Sequence, residues 1–361
     1  MKPKVWFTSA SEEESTSEIN AKTKELLQQV MAEENFISKG DFTAIKLHFG
    51  EKGNDGFVKP DYLTGMIDLI TQHKGKPFFT DTNTLYKGER DNSIDHANQA
   101  HEHGFTPDKV GIPVIIADGL LSKNYTPVEV SGKHFSEVNI ANDLLHSDAL
   151  ISIAHITGHP ATGLGGTLKN IGMGSASRSG KQQQHADVRP RVNSRRCVGC
   201  GECVEWCPTE AISLSDGKAQ INRDKCYGCA ECIATCRHNA LSISWAGSNK
   251  SLQEKMAEYA SGLLTHMEGK YAFFNYLLHV TRGCDCNSRS QKPVIEDLGI
   301  LASWDPVAVD QAASDLLSRK NGRDFIHDIR SSSLDYTIQL EHAESLGLGT
   351  TDYELVNMDT D

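Results

Sequence analysis

Eight cysteines fall into two copies of one pattern, and no other feature restricts this chain so strongly. In "CVGCGECVEWCP" Cys197, Cys200, Cys203 and Cys207 keep the spacing C-x2-C-x2-C-x3-C-P, and in "CYGCAECIATCR" Cys226, Cys229, Cys232 and Cys236 repeat it up to the last residue. Setting Cys197 on Cys226 also sets Ala211–Leu214 ("AISL") on Ala240–Ile243 ("ALSI"), so the unit is an internal duplication. The spacing has a physical reason. Three cysteines separated by two residues each curl a short loop around one iron–sulfur cubane, while the fourth reaches out to the other. Cys197, Cys200, Cys203 and Cys236 are thereby expected to hold one [4Fe-4S] cluster, and Cys226, Cys229, Cys232 and Cys207 the second. The alternative is a pair of zinc sites or a set of packed thiols, but zinc motifs pair C-x2-C units instead of triplets with a trailing fourth cysteine.

Over about 50 residues this unit resembles the bacterial ferredoxin that carries two [4Fe-4S] clusters. One departure stands out: where the first half has Pro208, the second has Arg237, followed by His238. A fixed cation beside the cluster that Cys236 ligates is expected to favour its reduced form and raise its potential. Lys+Arg 36 against Asp+Glu 48 gives a net charge of -12, and two bound cubanes of about -2 each take it to about -16. That sign disfavours nucleic acid and anionic membranes as partners. There is no apolar run of signal-peptide or membrane-span length, and ten cysteines without a secretion signal suit thiolate and metal chemistry, so a cytoplasmic protein is expected.

Outside the cysteine-rich unit, apolar strand-like runs alternate with helical patterns, which predicts an α/β fold with a mostly parallel sheet and covering helices. Leu63, Met66, Ile67 and Ile70 recur at helical spacing behind Pro60, and Asp305 precedes Pro306 as a helix N-cap. "PVEVSGKHFSEVNI" predicts a hairpin turning at Ser131-Gly132. The resulting layout is a first part of an α/β domain over residues 1–186, a small α+β ferredoxin-type insertion over 187–245, and the second part of the α/β domain over 246–361.

Three stretches at predicted strand ends concentrate chemically useful side chains: "IKLHFGEKGN" with Lys46, His48, Glu51, Lys52 and Asn54, "FFTDTNTLYKGER" with Asp81, Asn83, Tyr86 and Lys87, and the glycine-rich Gly158–Gly174 with His155, His159, Lys169 and Asn170 nearby or within it. Strand ends are where α/β sheets bind ligands. The glycine loop has neither a P-loop nor a G-x-G-x-x-G fingerprint, but a nest of its N–H groups with Lys169 could hold a carboxylate or phosphate. The remaining pair, Cys284 and Cys286 in "GCDC", has three readings: packed free thiols, a redox-active dithiol, or part of a third metal or iron–sulfur site completed by His155 and His159. A disulfide between them is expected to be short-lived in a reducing cytosol.

"LHFGEKGN", "TDTNTLYKG", "GHPATGLGGTLKNIGMG", "GCDC" and "ILASWDPVAVD", with the two-cluster segment between the third and fourth, resemble the iron–sulfur-centre proteins built on domain of unknown function 362. The resemblance covers nearly the whole chain and implies clusters and an α/β domain, without a substrate. The expected function is an electron-transferring oxidoreductase of anaerobic metabolism, its clusters serving a site in the α/β domain where Cys284, Cys286, His48, Asp81 and Lys169 are the candidate catalytic residues. A carrier that docks a redox partner protein and turns over no small-molecule substrate is the alternative.

Overall fold

The computed structural model of the chain describes residues 2–86, 88–185, 190–207, 209–226, 231–242, 249–330 and 334–359. Lys87, Pro208 and Cys229 lie outside the described residues.

Strands from both flanks of the cysteine-rich unit share one eight-stranded sheet: β1 (Lys4–Ser9), β2 (Phe42–Leu47), β3 (Lys76–Asp81), β4 (Val114–Ile116), β5 (Ala149–His155), β6 (Tyr271–Leu277), β7 (Gly299–Ser303) and β8 (Glu354–Asn357), in the order β8-β1-β7-β6-β5-β2-β3-β4. Every pairing is parallel except those of β7, which runs against both β1 and β6. No helix links β6 to β7; without a crossover the chain returns antiparallel.

Successive residues of the strands feed two separate cores. Ile45, Phe79, Ile151, Ile153 and Phe274 pack against helices α1 (Thr16–Glu33) and α2 (Thr64–Gln72) on one face. On the other, Ala44, Phe78, Leu150 and Phe273 meet α4 (Thr167–Gly172), α6 (Asn249–His266) and α7 (Pro306–Asn321). Burial on both faces is why "ALISIA" of β5 reads as an unbroken apolar run. The chain enters α2 through a 3-10 turn, Pro60–Leu63, and Asp305 caps α7 by accepting from the amides of Val307 and Ala308. Two shorter helices, α3 (Ser93–Glu102) and α5 (Arg178–His185), complete the layers that frame the site.

The hairpin pairs Tyr125–Glu129 with Glu137–Ala141, but its tip lies at Lys133-His134, beyond the expected Ser131-Gly132. The cause is distant in sequence: the Glu258 carboxylate of α6 accepts from the amides of Lys133, His134 and Phe135 and fixes the turn there.

The cysteine-rich unit has its own small core, in which Cys197, Cys203 and Cys232 are buried with Ile212, Ala219 and Leu241. Its duplication is visible in the hydrogen bonds, and the halves are crossed. Asn193 donates to the carbonyl of Ala240 and Asn222 to that of Ala211, each at 2.7 Å. Likewise Arg191–Val192 pairs with Leu241–Ser242, and Ile212–Ser215 with Lys218–Ile221.

Candidate functional site

A cavity of about 1030 Å³, its open mouth included, lies at the carboxyl ends of β2, β3, β5 and β6. Lys46, His48, Asp81, His155, His159, Lys169, Asn170, Cys284 and Cys286, all singled out from sequence, line it together. Glu51 lines an adjoining outer vestibule that shares Tyr86, Cys284 and Cys286 with the cavity, so the two cysteines form part of the wall between the two spaces. Lys52 is exposed and paired with Glu89, and Asn54 caps local backbone by accepting from the Gly56 amide, so neither reaches the inner cavity. Asn83 is spent on Asp118, to which it donates through its amide and side chain.

Charges in this wall come in pairs. Lys46 Nζ lies 2.9 Å from Asp81 and donates to Asn170 Oδ1 at 2.7 Å. Arg90 meets Glu51 at 3.3 Å and Asp81 at 3.6 Å. Burial alone would raise Asp81, but Lys46, His96, Arg90 and Lys181 outweigh it and hold its carboxyl below the usual range. Lys181 Nζ donates to Thr82 Oγ1 and to the carbonyls of Asn83 and Ala176 and faces Asp118; burial lowers it to about 8.

The histidines divide by their partners. His155 Nδ1 faces Asp285 at 2.9 Å, and its Nε2 faces the carbonyls of Leu278 and His279 at 2.9 and 3.2 Å. All of these are acceptors, so both ring nitrogens donate and the ring is an imidazolium. Burial opposes that charge, and Asp285 with the carbonyls more than restores it, raising the pKa. His155 is therefore not brought to Cys284 and Cys286 as a ligand. His159 is: one of its nitrogens and the two sulfurs all lie within 4.8 Å of one another. Its Nδ1, however, accepts from the amides of Ala161 and Thr162 at 3.3 and 3.1 Å, which leaves the proton on Nε2. Burial, and then the nearby Lys169, His185 and Arg330, hold its pKa well below the usual value. A neutral N–H donor fits beside sulfur better than a metal ligand does. His48 is neutral for similar reasons, its Nδ1 accepting from Gly50 at 3.0 Å.

Cys284 and Cys286 are joined as a disulfide, which departs from the free thiols that a reducing cytosol suggests. The glycine loop also departs from expectation. Asp310 of α7 accepts from the amides of Thr167 and Leu168 at 2.7 and 2.8 Å and from Asn275 at 2.7 Å, so the chain's own carboxylate fills that backbone nest. Lys169 projects into the cavity alone: among the described residues its ammonium has no hydrogen bond or ion pair, and burial lowers its pKa to about 8.

Asp285, Arg90, Lys181, His185 and Asp310 were not among the candidates. Asp285 had a signal, its place between the two cysteines of "GCDC". The others had none, because a charged residue bound for a buried pair looks in sequence like one on a solvated face.

In the inserted unit Cys197, Cys200, Cys203 and Cys236 line one cavity of about 360 Å³. Burial raises the Cys203 thiol to about 11, and the neighbouring Cys236, Cys197 and Cys200 add to the effect. Backbone amides serve the sulfurs in matching positions, Ala211 to Cys207 at 3.2 Å and Ala240 to Cys236 at 3.3 Å. Arg237 is exposed, where solvent screens its charge. The unit seats on the α/β domain through Lys123, whose ammonium lies 3.1 Å from the Trp206 ring centre and donates to Thr235 Oγ1 at 2.6 Å. Beside that contact Glu231–Thr235 packs on α5, the helix whose Lys181 and His185 line the cavity.

A mixed α/β fold with a ferredoxin-like cysteine unit and a cavity at the carboxyl edge of its sheet defines an iron–sulfur-related class of protein. Residues 43–315 match the domain of unknown function DUF362, and the chain belongs to that family. Over 28 residues, 8% of the chain, it is 57% identical to Ferredoxin-2 of Desulfomicrobium norvegicum, spanning 48% of that protein's length. Two solved structures are distantly similar to the chain: a Thermotoga maritima protein from a structural genomics consortium (TM-score 0.44, 9% identity, 84% of this chain and 59% of the other) and the lactate racemase apoprotein of Thermoanaerobacterium thermosaccharolyticum (TM-score 0.44, 11% identity, 87% and 57%). Among the described residues no helix is long and apolar enough to cross a membrane.

Proposed function

We propose that this chain is an iron–sulfur redox protein in which two [4Fe-4S] clusters, held by Cys197, Cys200, Cys203 and Cys236 and by Cys226, Cys229, Cys232 and Cys207, pass electrons to a site in the α/β domain where a small molecule is reduced. When bound, the two cubanes supply one electron each, received from a redox partner protein. Two electrons and two protons are what the Cys284–Cys286 disulfide takes to become two thiols. The dithiol then gives the same two electrons and two protons to the substrate and closes again, so each cycle balances. His159, neutral and with its proton on Nε2, would donate a hydrogen bond to the sulfur that becomes a thiolate as the S–S bond opens, while the two protons come from solvent through the open mouth of the cavity.

The observation that carries this reading is the placement of the disulfide in the wall of a buried cavity, with the cluster-bearing unit packed on a helix that lines the same cavity. The test begins with iron and acid-labile sulfide on anaerobically purified protein and on the Cys284→Ser/Cys286→Ser variant; about eight of each are expected in both. Reduction by a low-potential one-electron donor should then make Cys284 and Cys286 open to alkylation, read on the peptide that contains them, in the wild type and not in a Cys236→Ala variant. A disulfide that stays closed in fully reduced wild-type protein would remove the reading, and a third metal lost only with Cys284 and Cys286 would replace it with a metal site there.

A further inference from the structure

Among the described residues that line the inner cavity, the buried charges balance except for one. Lys46 is matched by Asp81, Arg90 by Glu51, the His155 imidazolium by Asp285, and Lys181 by Asp118. Lys169 is the fifth cation, and the acid that acts on it most, Asp285, is already bound to His155. An unpaired ammonium in a site of low dielectric is costly, so a built site of this kind is completed by an anion. The mouth is prepared for the same sign. Arg282 and Arg330 line the vestibule, and Nε and Nη2 of Arg330 are buried with no partner among the described residues. In a chain of net charge -12, a cationic entrance draws small anions inward.

The rest of the cavity narrows the class. Arg330 belongs to the vestibule, so the inner cavity itself holds one unmatched cation, which calls for one negative charge there. The loop amides that would cradle a phosphate are held by Asp310. Met173, Leu252 and Met256 also line the cavity and add an apolar surface, which rewards an apolar body.

We propose that the cavity binds an organic monocarboxylate, its carboxylate paired with Lys169 and its apolar part against Met173, Leu252 and Met256, in the space that the Cys284–Cys286 disulfide borders. This deepens the functional reading above by naming the substrate class, and it rests on that reading only for the claim that the bound molecule is also reduced, at a group other than its carboxylate.

Titration calorimetry on the anaerobically purified full chain, with hexanoate, hexan-1-ol and inorganic phosphate as probes, tests it. Hexanoate should bind at least about tenfold more tightly than hexan-1-ol, which has the same body without the charge, and phosphate should not displace it. Lys169→Met should abolish that preference, Lys169→Arg should keep it, and Lys39→Met, on an exposed position, should leave it unchanged. Equal binding of hexanoate and hexan-1-ol, displacement by phosphate, or a preference that survives Lys169→Met would each overturn the proposal. The first comparison uses wild-type protein alone and decides the matter even where a variant fails to fold. Binding is read without electron transfer, so a disulfide that resists reduction leaves this result standing, and loss of the carboxylate preference leaves the redox reading standing.

Discussion

At the residue scale, the cavity places two opposite demands on buried charge. Lys169 holds a charge without a partner, and its pKa near 8 lies below the unfolded value of about 10.4. The folded state therefore binds fewer protons between those values, and the cost of the buried charge is full below pH 8 and fades above it. Lys169→Met should stabilise the ligand-free protein by about 1–3 kcal/mol at neutral pH, with the gain gone by about pH 10.5, as measured by chemical denaturation. The His155–Asp285 pair runs the other way. Its folded pKa is raised, so its stabilisation is complete below the unfolded histidine value of about 6.5 and is lost as pH rises through the folded one. Asp285→Asn should cost about 3 kcal/mol at about pH 6 and distinctly less in the alkaline range. Sequence alone placed Lys169, His155 and Asp81 in one site, because each follows a strand end. It could not separate His155 from His159, four residues away: what divides them is whether carbonyls or amides face the ring, and that depends on Leu278, His279 and the turn at Thr162.

At the element scale, what was legible followed from local rules. Asp305 before Pro306 caps α7 because a short acceptor side chain at that position answers the free amides of the first turn. What was not legible came from residues far apart in the chain. Glu258 decides where the hairpin turns, and Asp310 decides that the glycine loop faces a protein carboxylate. Asp310→Ala should leave two loop amides and Asn275 without their acceptor, costing about 2–4 kcal/mol by thermal or chemical unfolding. It should also free the loop to bind inorganic phosphate, which calorimetry would detect as a new site. Retained stability in that variant would mean that the carboxylate does not organise the loop.

At the scale of the whole molecule, Lys123 and α5 are among the described residues on which the cysteine-rich unit meets the α/β domain. Trp206→Ala should remove the stacking partner of Lys123 while leaving the iron content unchanged, because Trp206 lies between the ligands without being one. The expected outcome is a rate of disulfide reduction at least about threefold slower, for a loss of about 1 kcal/mol of docking energy. Unchanged rates would mean that the contact is incidental.

The crossed hydrogen bonds inside that unit have a consequence for its failure. Asn193 needs Ala240 and Asn222 needs Ala211, and the strand pairs also join one half to the other. Neither half keeps its strand pairing without the other. By the same logic damage should not stay local: with the two clusters proposed above, oxidative loss of one should be followed by loss of the other, which iron content falling in one phase and not two during air exposure would check.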